Sequence, residues 1–520
     1  MVPIDYFDTA AEIYGDRTAL LDGDVRLSFR ELRHMSEKLG GAIAALSPDS
    51  APLPVGVLSP NDYRVMVSML GIMRAGATIV PMHSRNSVEV NTGVLRRVQP
   101  KCVIYHSSAA DDVARMRDEL PSVRRWIVLD GPAGDVDSLQ SFMEEPSPPL
   151  PDWGDISGNP DRPVFYWQTS GTTDAPKIVV DDCGTFDATL RVTRHLRPRT
   201  PNDPPPVVLT VAPLSHSAGC HAFTMLTLGA TVVNMRTFDA KSVFEHIERH
   251  RVTDVWLPPT ALALLLTYPD ADRFDRSSLR RVALGASAVS PHCLRRAVAL
   301  LGPVVSHTYS QIESGVVTHL DEATVGAGAA DVHPERLSSA GSSLFINRFG
   351  IMSDDGRLLP AGEEGEIVVR GRAVKRYLDP EQTAFARRFG WHHTGDLGYV
   401  DPSGFLFVVG RKNDIIITNG FKVLGAEVER ALSEMPEIHE CAVVGAPDLL
   451  RGEAVKAIFS LRPGCSLSKR AVLEHCLARL PKGKAPTSVE QWPDLPKTAV
   501  GKIDKRKIRA LVWAAPTQVA

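Results

Sequence analysis

Residues 166–177 read YWQTSGTTDAPK. An apolar lead, VFYW at 164–167, runs into small hydroxyl residues around one glycine, then Pro176 and Lys177. Such a run can turn backbone N–H groups and the hydroxyls of Ser170, Thr172 and Thr173 toward one point, which makes an anion nest. Lys177 adds a point charge to it. Taken alone, the same residues also spell a Ser/Thr turn between two strands. They do not spell the G-x-x-x-x-G-K-(S/T) order of a nucleotide-kinase phosphate loop.

Upstream, strand and helix patterns alternate. TALLDGDVRLSFRELRHMSEKLGGAIAAL (18–46) reads as a hairpin followed by an amphipathic helix. VGVLSP (55–60) and ATIVPM (77–82) are short apolar strands on either side of the helical NDYRVMVSMLGIMRAG (61–76). KCVIYHS (101–107) and RRWIVLDG (124–131) repeat the strand pattern, and a proline-rich connection at 144–163 leads into the opening stretch. Strands alternating with helices predict a parallel α/β sheet.

Downstream the alternation continues. PPVVLTVAPLSHSAGCHAF (205–223) predicts a strand running into a loop with two histidines, His216 and His221. After about residue 340 the texture changes to short strands and D-P-S-G turns, which predicts a β-rich subdomain. A compact α/β unit is expected from about residue 413.

Composition bounds the class. A chain of 520 residues holds two or three domains, and 43% hydrophobic with 23% charged residues is ordinary for a globular protein. The net charge of −3 gives no pull toward nucleic acid. Seven cysteines are scattered without a CxxC pair, so neither a zinc site nor a disulfide framework is suggested. The N-terminus lacks a basic and an apolar region of the secretory kind, and no apolar run is long enough to span a bilayer. A cytoplasmic location is the expectation.

The opening stretch resembles the phosphate loop, (S/T)SG(S/T)TGxPK, of the adenylate-forming superfamily: acyl- and aryl-CoA synthetases, nonribosomal adenylation domains and luciferases. Stand-alone acid–CoA ligases are the nearest branch. Further stretches resemble that family in the same order. Gly285-Ala286-Ser287 matches its GGAP-type turn, Tyr309-Ser310-Gln311-Ile312-Glu313 its Y-G-x-T-E, and Thr394-Gly395-Asp396 its TGD. Residues 410–429 match its hinge motif, and PKTAVGKIDKRKIR (496–509) its closing PxTxxGKIxRxxLR. Four positions depart from the pattern: Asp174 for glycine, Ile312 for threonine, Asn413 for a charged hinge residue and Gly425 for proline.

The resemblance implies a fold and a chemistry. The fold would be α/β: a large N-terminal domain of several subdomains (1–412), with parallel sheets and a β-rich part, and a small mobile α+β C-terminal domain (413–520). ATP would sit on Thr169, Ser170, Gly171, Thr172, Thr173 and Lys177, with Gly285, Ala286, Ser287, Tyr309 and Ser310 about the adenine. Asp396 and Arg411 would hold the ribose, and Glu313 would hold Mg²⁺ on the phosphates. Lys502 would reach the α-phosphate and the attacking carboxylate, where charge gathers in the transition state. His216 would gate the acid, and Gly420 would line the path of CoA, the expected co-substrate. The implied activity joins a small aryl or medium-chain acid to AMP, releases pyrophosphate, and passes the acyl group to CoA. Two alternatives stay open. One is a CoA-independent enzyme that uses an amine or a carrier protein as acceptor, or that activates nitrite to diazotise an aryl amine. The other is a nucleotide-binding protein without catalysis. No fused carrier domain is expected beyond Lys502.

Overall fold

The apolar runs at 55–60, 77–82 and 101–107 form the centre of an eight-stranded sheet in the computed structural model. The structure describes residues 2–46, 53–131, 136–150, 159–169, 176–197, 203–326, 332–344, 346–418, 421–448, 452–481, 483–498 and 501–514. The strands Thr78–Met82, Pro54–Leu58, Cys102–Tyr105 and Arg125–Val128 run parallel, each entered from a helix. The first three of those helices in the chain start on caps that satisfy free N–H groups: Ser28 with Glu31 in a capping box, Asp62 on Arg64, and Ser87 on Val90. The sheet is not wholly parallel. Ile178–Asp182 folds back antiparallel on Pro163–Gln168, and Arg376–Tyr377 adds to it antiparallel from far along the chain.

A second sheet has nine strands. Its centre (Thr231–Asn234, Val207–Thr210, Asp254–Leu257, Arg281–Leu284, Val305–Gln311) is parallel. The predicted hairpin at the N-terminus forms, but it joins this second sheet, with Leu20 beside Val232.

One apolar cluster lies between the two sheets, with Phe7, Phe29, Leu39, Phe165, Phe186 and Phe223 fully buried in it. Two more clusters cover the outer faces, so sheets and helices alternate in five layers.

The β-rich part is a five-stranded antiparallel sheet that includes Gly365–Gly371, Trp391–Val400 and Leu406–Arg411. The last sheet is built around the long pair Ile438–Asp448 and Gly452–Leu461 and packs against the helices Gly425–Leu432, Lys469–Arg479 and Lys505–Ala514. Among the described residues no helix is long and apolar enough to cross a membrane.

One expectation needs revision. The segment after Val207–Thr210 is not all loop: Ser217–Leu226 is a helix with His216 at its N-cap and His221 within it. Its small residues permit close packing. A side chain at Gly219 would meet the Leu214 carbonyl oxygen at 2.0 Å.

Candidate active site

The antiparallel pair Pro163–Gln168 and Ile178–Asp182 brings both ends of the Ser/Thr-rich loop to one sheet edge. The Thr169 N–H donates to the Lys177 carbonyl at 3.0 Å, and Arg97 donates to the Pro176 carbonyl at 2.8 Å. Ser170, Gly171, Thr172, Thr173 and Asp174 lie outside the described residues, as does Gly420.

Lys177 reaches over the ring of Tyr377, its Nζ 5.3 Å from the centroid. The Tyr377 hydroxyl donates to Glu313 Oε1 at 3.0 Å. Burial and the Glu313 charge push this phenol well up, so it remains a donor. The Lys375 N–H donates to the Glu313 carbonyl at 2.7 Å, while its ammonium lies 3.6 Å from the buried Asp181. Trp167 and Thr185 donate to the same carboxylate, at 3.1 and 2.7 Å.

A second knot forms at Asp396, which is 5% exposed. Its Oδ2 accepts from the Tyr309 hydroxyl and from the Gln311 amide, both at 2.7 Å, and its Oδ1 accepts from Arg411 at 3.0 Å. Antiparallel register puts Asp396 directly opposite Arg411. Gly395 has φ +73°, a turn that most side chains resist. Ser310, between the two donors, is exposed.

The turn after Arg281–Leu284 holds Ala286 at φ +75°, left-handed and uncommon for a residue with a Cβ. His307 Nε2 donates to the Ser287 carbonyl at 3.1 Å and fixes the far side of this turn. Gly285 packs close: a Cβ there would lie 3.2 Å from Thr308 Oγ1.

His216 donates through Nδ1 to the Ser215 carbonyl at 2.8 Å, and its ring meets His83 edge-on at 5.4 Å. Burial lowers His216, and the charge of Lys502 lowers it further. Lys502 is presented by a turn in which Thr498 N–H donates to the Lys502 carbonyl at 2.7 Å and Gly501 N–H to the Thr498 carbonyl at 2.8 Å. Water reaches the Lys502 side chain, yet protein surrounds it on most sides. Burial, then Arg411, lowers its pKa, while Asp396 and Glu313 oppose that shift. One ammonium thus acts electrostatically on both knots and on His216.

Among the motif positions outside the loop, Lys177, Glu313, Tyr309, Asp396, Arg411, His216 and Lys502 converge. Sequence reading missed Tyr377, Gln311, His83 and Lys375. Gln311 lies inside a quoted motif as a spacer, and Tyr377 arrives only by strand pairing. Of the departures, Ile312 packs on the central apolar cluster and Asn413 is exposed beside Lys412, which bonds Asp354 at 2.6 Å and Glu366 at 3.3 Å. No cluster of three or more His, Cys, Asp or Glu suited to a metal occurs among the described residues.

Comparison with known proteins agrees with this architecture. The AMP-binding enzyme family matches residues 7–378, and the AMP-binding enzyme C-terminal domain matches residues 427–502. The chain is 32% identical to the 3-[(3aS,4S,7aS)-7a-methyl-1,5-dioxo-octahydro-1H-inden-4-yl]propanoyl:CoA ligase of Rhodococcus jostii, over 96% of each chain. It is 30% identical to the indoleacetate–CoA ligase of Aromatoleum aromaticum, over 98% of each. The amide bond synthetase McbA of Marinactinospora thermotolerans shares the fold with TM-score 0.85 at 26% identity, over 98% of this chain and 99% of that one. The protein belongs to the AMP-binding enzyme family. It is an ATP-dependent adenylate-forming enzyme of the acid–CoA ligase kind.

Proposed function

We propose that the enzyme activates a small ring-bearing or medium-chain acid and passes it to CoA. The observation that carries this reading is that Lys502 lies within electrostatic range of Asp396, Glu313 and His216 together. That is where a nucleotide, its α-phosphate and an acid must meet.

Asp396 and Arg411 receive the ribose, with Tyr309 and the 285–287 turn about the base. Lys177 and the 169–173 loop receive the phosphates. Glu313 suits Mg²⁺, which takes one or two carboxylates and completes its shell from phosphate and water. Its Oε1 takes the Tyr377 hydroxyl, which fixes the carboxylate plane. When bound, Mg²⁺ would neutralise phosphate charge. An oxygen of the acid attacks the α-phosphorus, the bond to pyrophosphate breaks, and the Lys502 ammonium stabilises the gathering negative charge. In the second half-reaction the CoA sulfur attacks the acyl carbon, and AMP leaves. Residues 413–520 turn about Asn413 between the two steps, and Lys412, tied to Asp354 and Glu366, anchors the fixed side. The likeness to an amide bond synthetase supports a second reading, with an amine as acceptor.

The test is pyrophosphate and AMP release over aryl acids, medium-chain acids and nitrite, each with and without CoA and with an aryl amine. Thioester formation that needs acid and CoA establishes the ligase. Turnover with an amine, indifferent to CoA, replaces it with an amide-forming or, for nitrite, a diazotising enzyme.

A further inference from the structure

The nine-stranded sheet has two unlike faces. Val255, Val282 and Val305 stand in register on one side, with Leu257 and Leu284, and pack into an aliphatic cluster with helices. The other side carries Asp254, Trp256, Arg281, Ala283, Ser306 and Thr308, with His319 opposite Thr308. Parallel strands covered on both faces normally read as continuous aliphatic runs. This polar face is covered all the same. Met225 of the helix Ser217–Leu226 packs on Val208, which is in register with Asp254. His221 stands one helical turn before Met225 and so faces the same sheet surface.

Trp256, Ala283, Thr308 and His221 are each only partly buried, although they lie between a helix and the middle of a sheet. At the inner end sits Arg197, 7% exposed. Its Nε donates to Asp254 Oδ1 at 3.0 Å, and Thr253 donates to the other oxygen of Asp254 at 2.8 Å. The Arg197 NH2 and the His221 Nε2 are both buried, and neither has a partner. Orphaned buried polar atoms of this kind are rare and costly. Burial, with the charge of Arg197 adding to it, holds His221 at about 3, so the imidazole is neutral at pH 7. Asp254 balances Arg197, and Glu322, 3.8 Å from Arg281, balances the other guanidinium on this face. The end wall therefore offers hydrogen bonds without net charge.

We infer that Arg197 and His221 close the inner end of the acid chamber and recognise an uncharged oxygen, a ketone or hydroxyl, at the far end of the acid. The helix sets the length. His216 stands at its reactive end and His221 five residues further in, a rise of about 7.5 Å. An acid with a six-membered ring on a short carboxyl arm spans that distance, and Trp256 offers an apolar wall for the ring. A distal carboxylate fits less well, because Asp254 faces it. This inference rests on the acid-activating reading and names the acid that the same site takes.

The test uses two matched pairs of acids: phenylpropanoate with its para-hydroxy form, and cyclohexylpropanoate with its para-keto form. Pyrophosphate release is measured for each with ATP. The expected result is a kcat/KM higher by about tenfold or more for the oxygen-bearing member of at least one pair, because a polar site left unfilled rejects the analogue. In His221→Phe, and in the double variant Arg197→Met with Asp254→Leu, that ratio falls to about one. A merely structural lesion lowers both members together and leaves the ratio intact, which overturns the assignment. Equal rates for both members in the wild type overturn it too. Turnover of other acids but of none of these four overturns the chamber and spares the ligase, whereas no turnover of any acid removes both.

Discussion

Lys502 meets both signs of charge where it reaches the site, with Arg411 repelling it and Asp396 and Glu313 attracting it. Lys502→Ala is expected to lower the rate of adenylation by about 100- to 1,000-fold while ATP binding changes little, read from single-turnover rates and from equilibrium titration. Its lowered pKa is expected to set the alkaline limb of the rate profile below the ordinary lysine value of 10.5, and Lys502→Arg to move that limb up. Asp396 carries a different consequence. A carboxylate has about four acceptor sites, and Tyr309, Gln311 and Arg411 already use three. With the ribose bound there as proposed, its two hydroxyls would displace at least one protein donor. Gln311→Met is expected to tighten ATP binding by about threefold to tenfold, near the worth of one hydrogen bond; weaker binding would make Gln311 a ligand rather than a competitor. Tyr309, Asp396 and Arg411 were legible in the sequence because each lies in a motif. Gln311 and Tyr377 were not, because their partners lie at a sequence distance that no local pattern encodes.

At the scale of elements, the strands and helices of 18–131 were legible from their period and caps. The helix Ser217–Leu226 was not, since SAGCHAFTML is rich in small residues and opens without a capping side chain. What forms it is burial of Phe223 and Leu226 in the central cluster, a tertiary effect. Gly425 makes the converse point. Proline at the first position of a helix ordinarily stabilises it, and the motif has proline there. In this chain a Cβ at Gly425 would lie 2.8 Å from the Val443 carbonyl oxygen. Gly425→Pro is thus expected to destabilise the C-terminal unit by about 1–3 kcal/mol, seen as a lower urea midpoint. An unchanged or higher midpoint would mean that the strand Ile438–Asp448 yields.

Across the whole molecule, several imidazoles are buried uncharged. His83 and His392 are pushed down to about 4 and His221 to about 3, mainly by burial. Unfolding restores each to about 6.5. The unfolded chain then binds more protons, so stability is intact above pH 6.5 and is lost as the pH falls toward 4. For His83 alone the loss approaches about 3 kcal/mol. His83→Phe is expected to flatten this acid limb, measured as the urea midpoint at pH 7 against pH 4.5, and an equally steep limb in the variant would place the proton uptake elsewhere. The five-layer order was only partly legible, because period reports which face is buried and not which sheet a strand joins.

The N-terminal hairpin is the case in point. Leu20 and Leu21 pair with Val232 and Val233, and Asp22 accepts from Asn234 and Arg236. About 210 residues separate these partners. At ribosomal speeds of about 5–20 residues per second, the hairpin waits some 10–40 s for the strand that completes it. During that interval the edge of Thr18–Asp22 is open to any strand that passes. The hairpin is thus made long before it is secured, and whatever shields it in the meantime governs how much active enzyme a cell obtains.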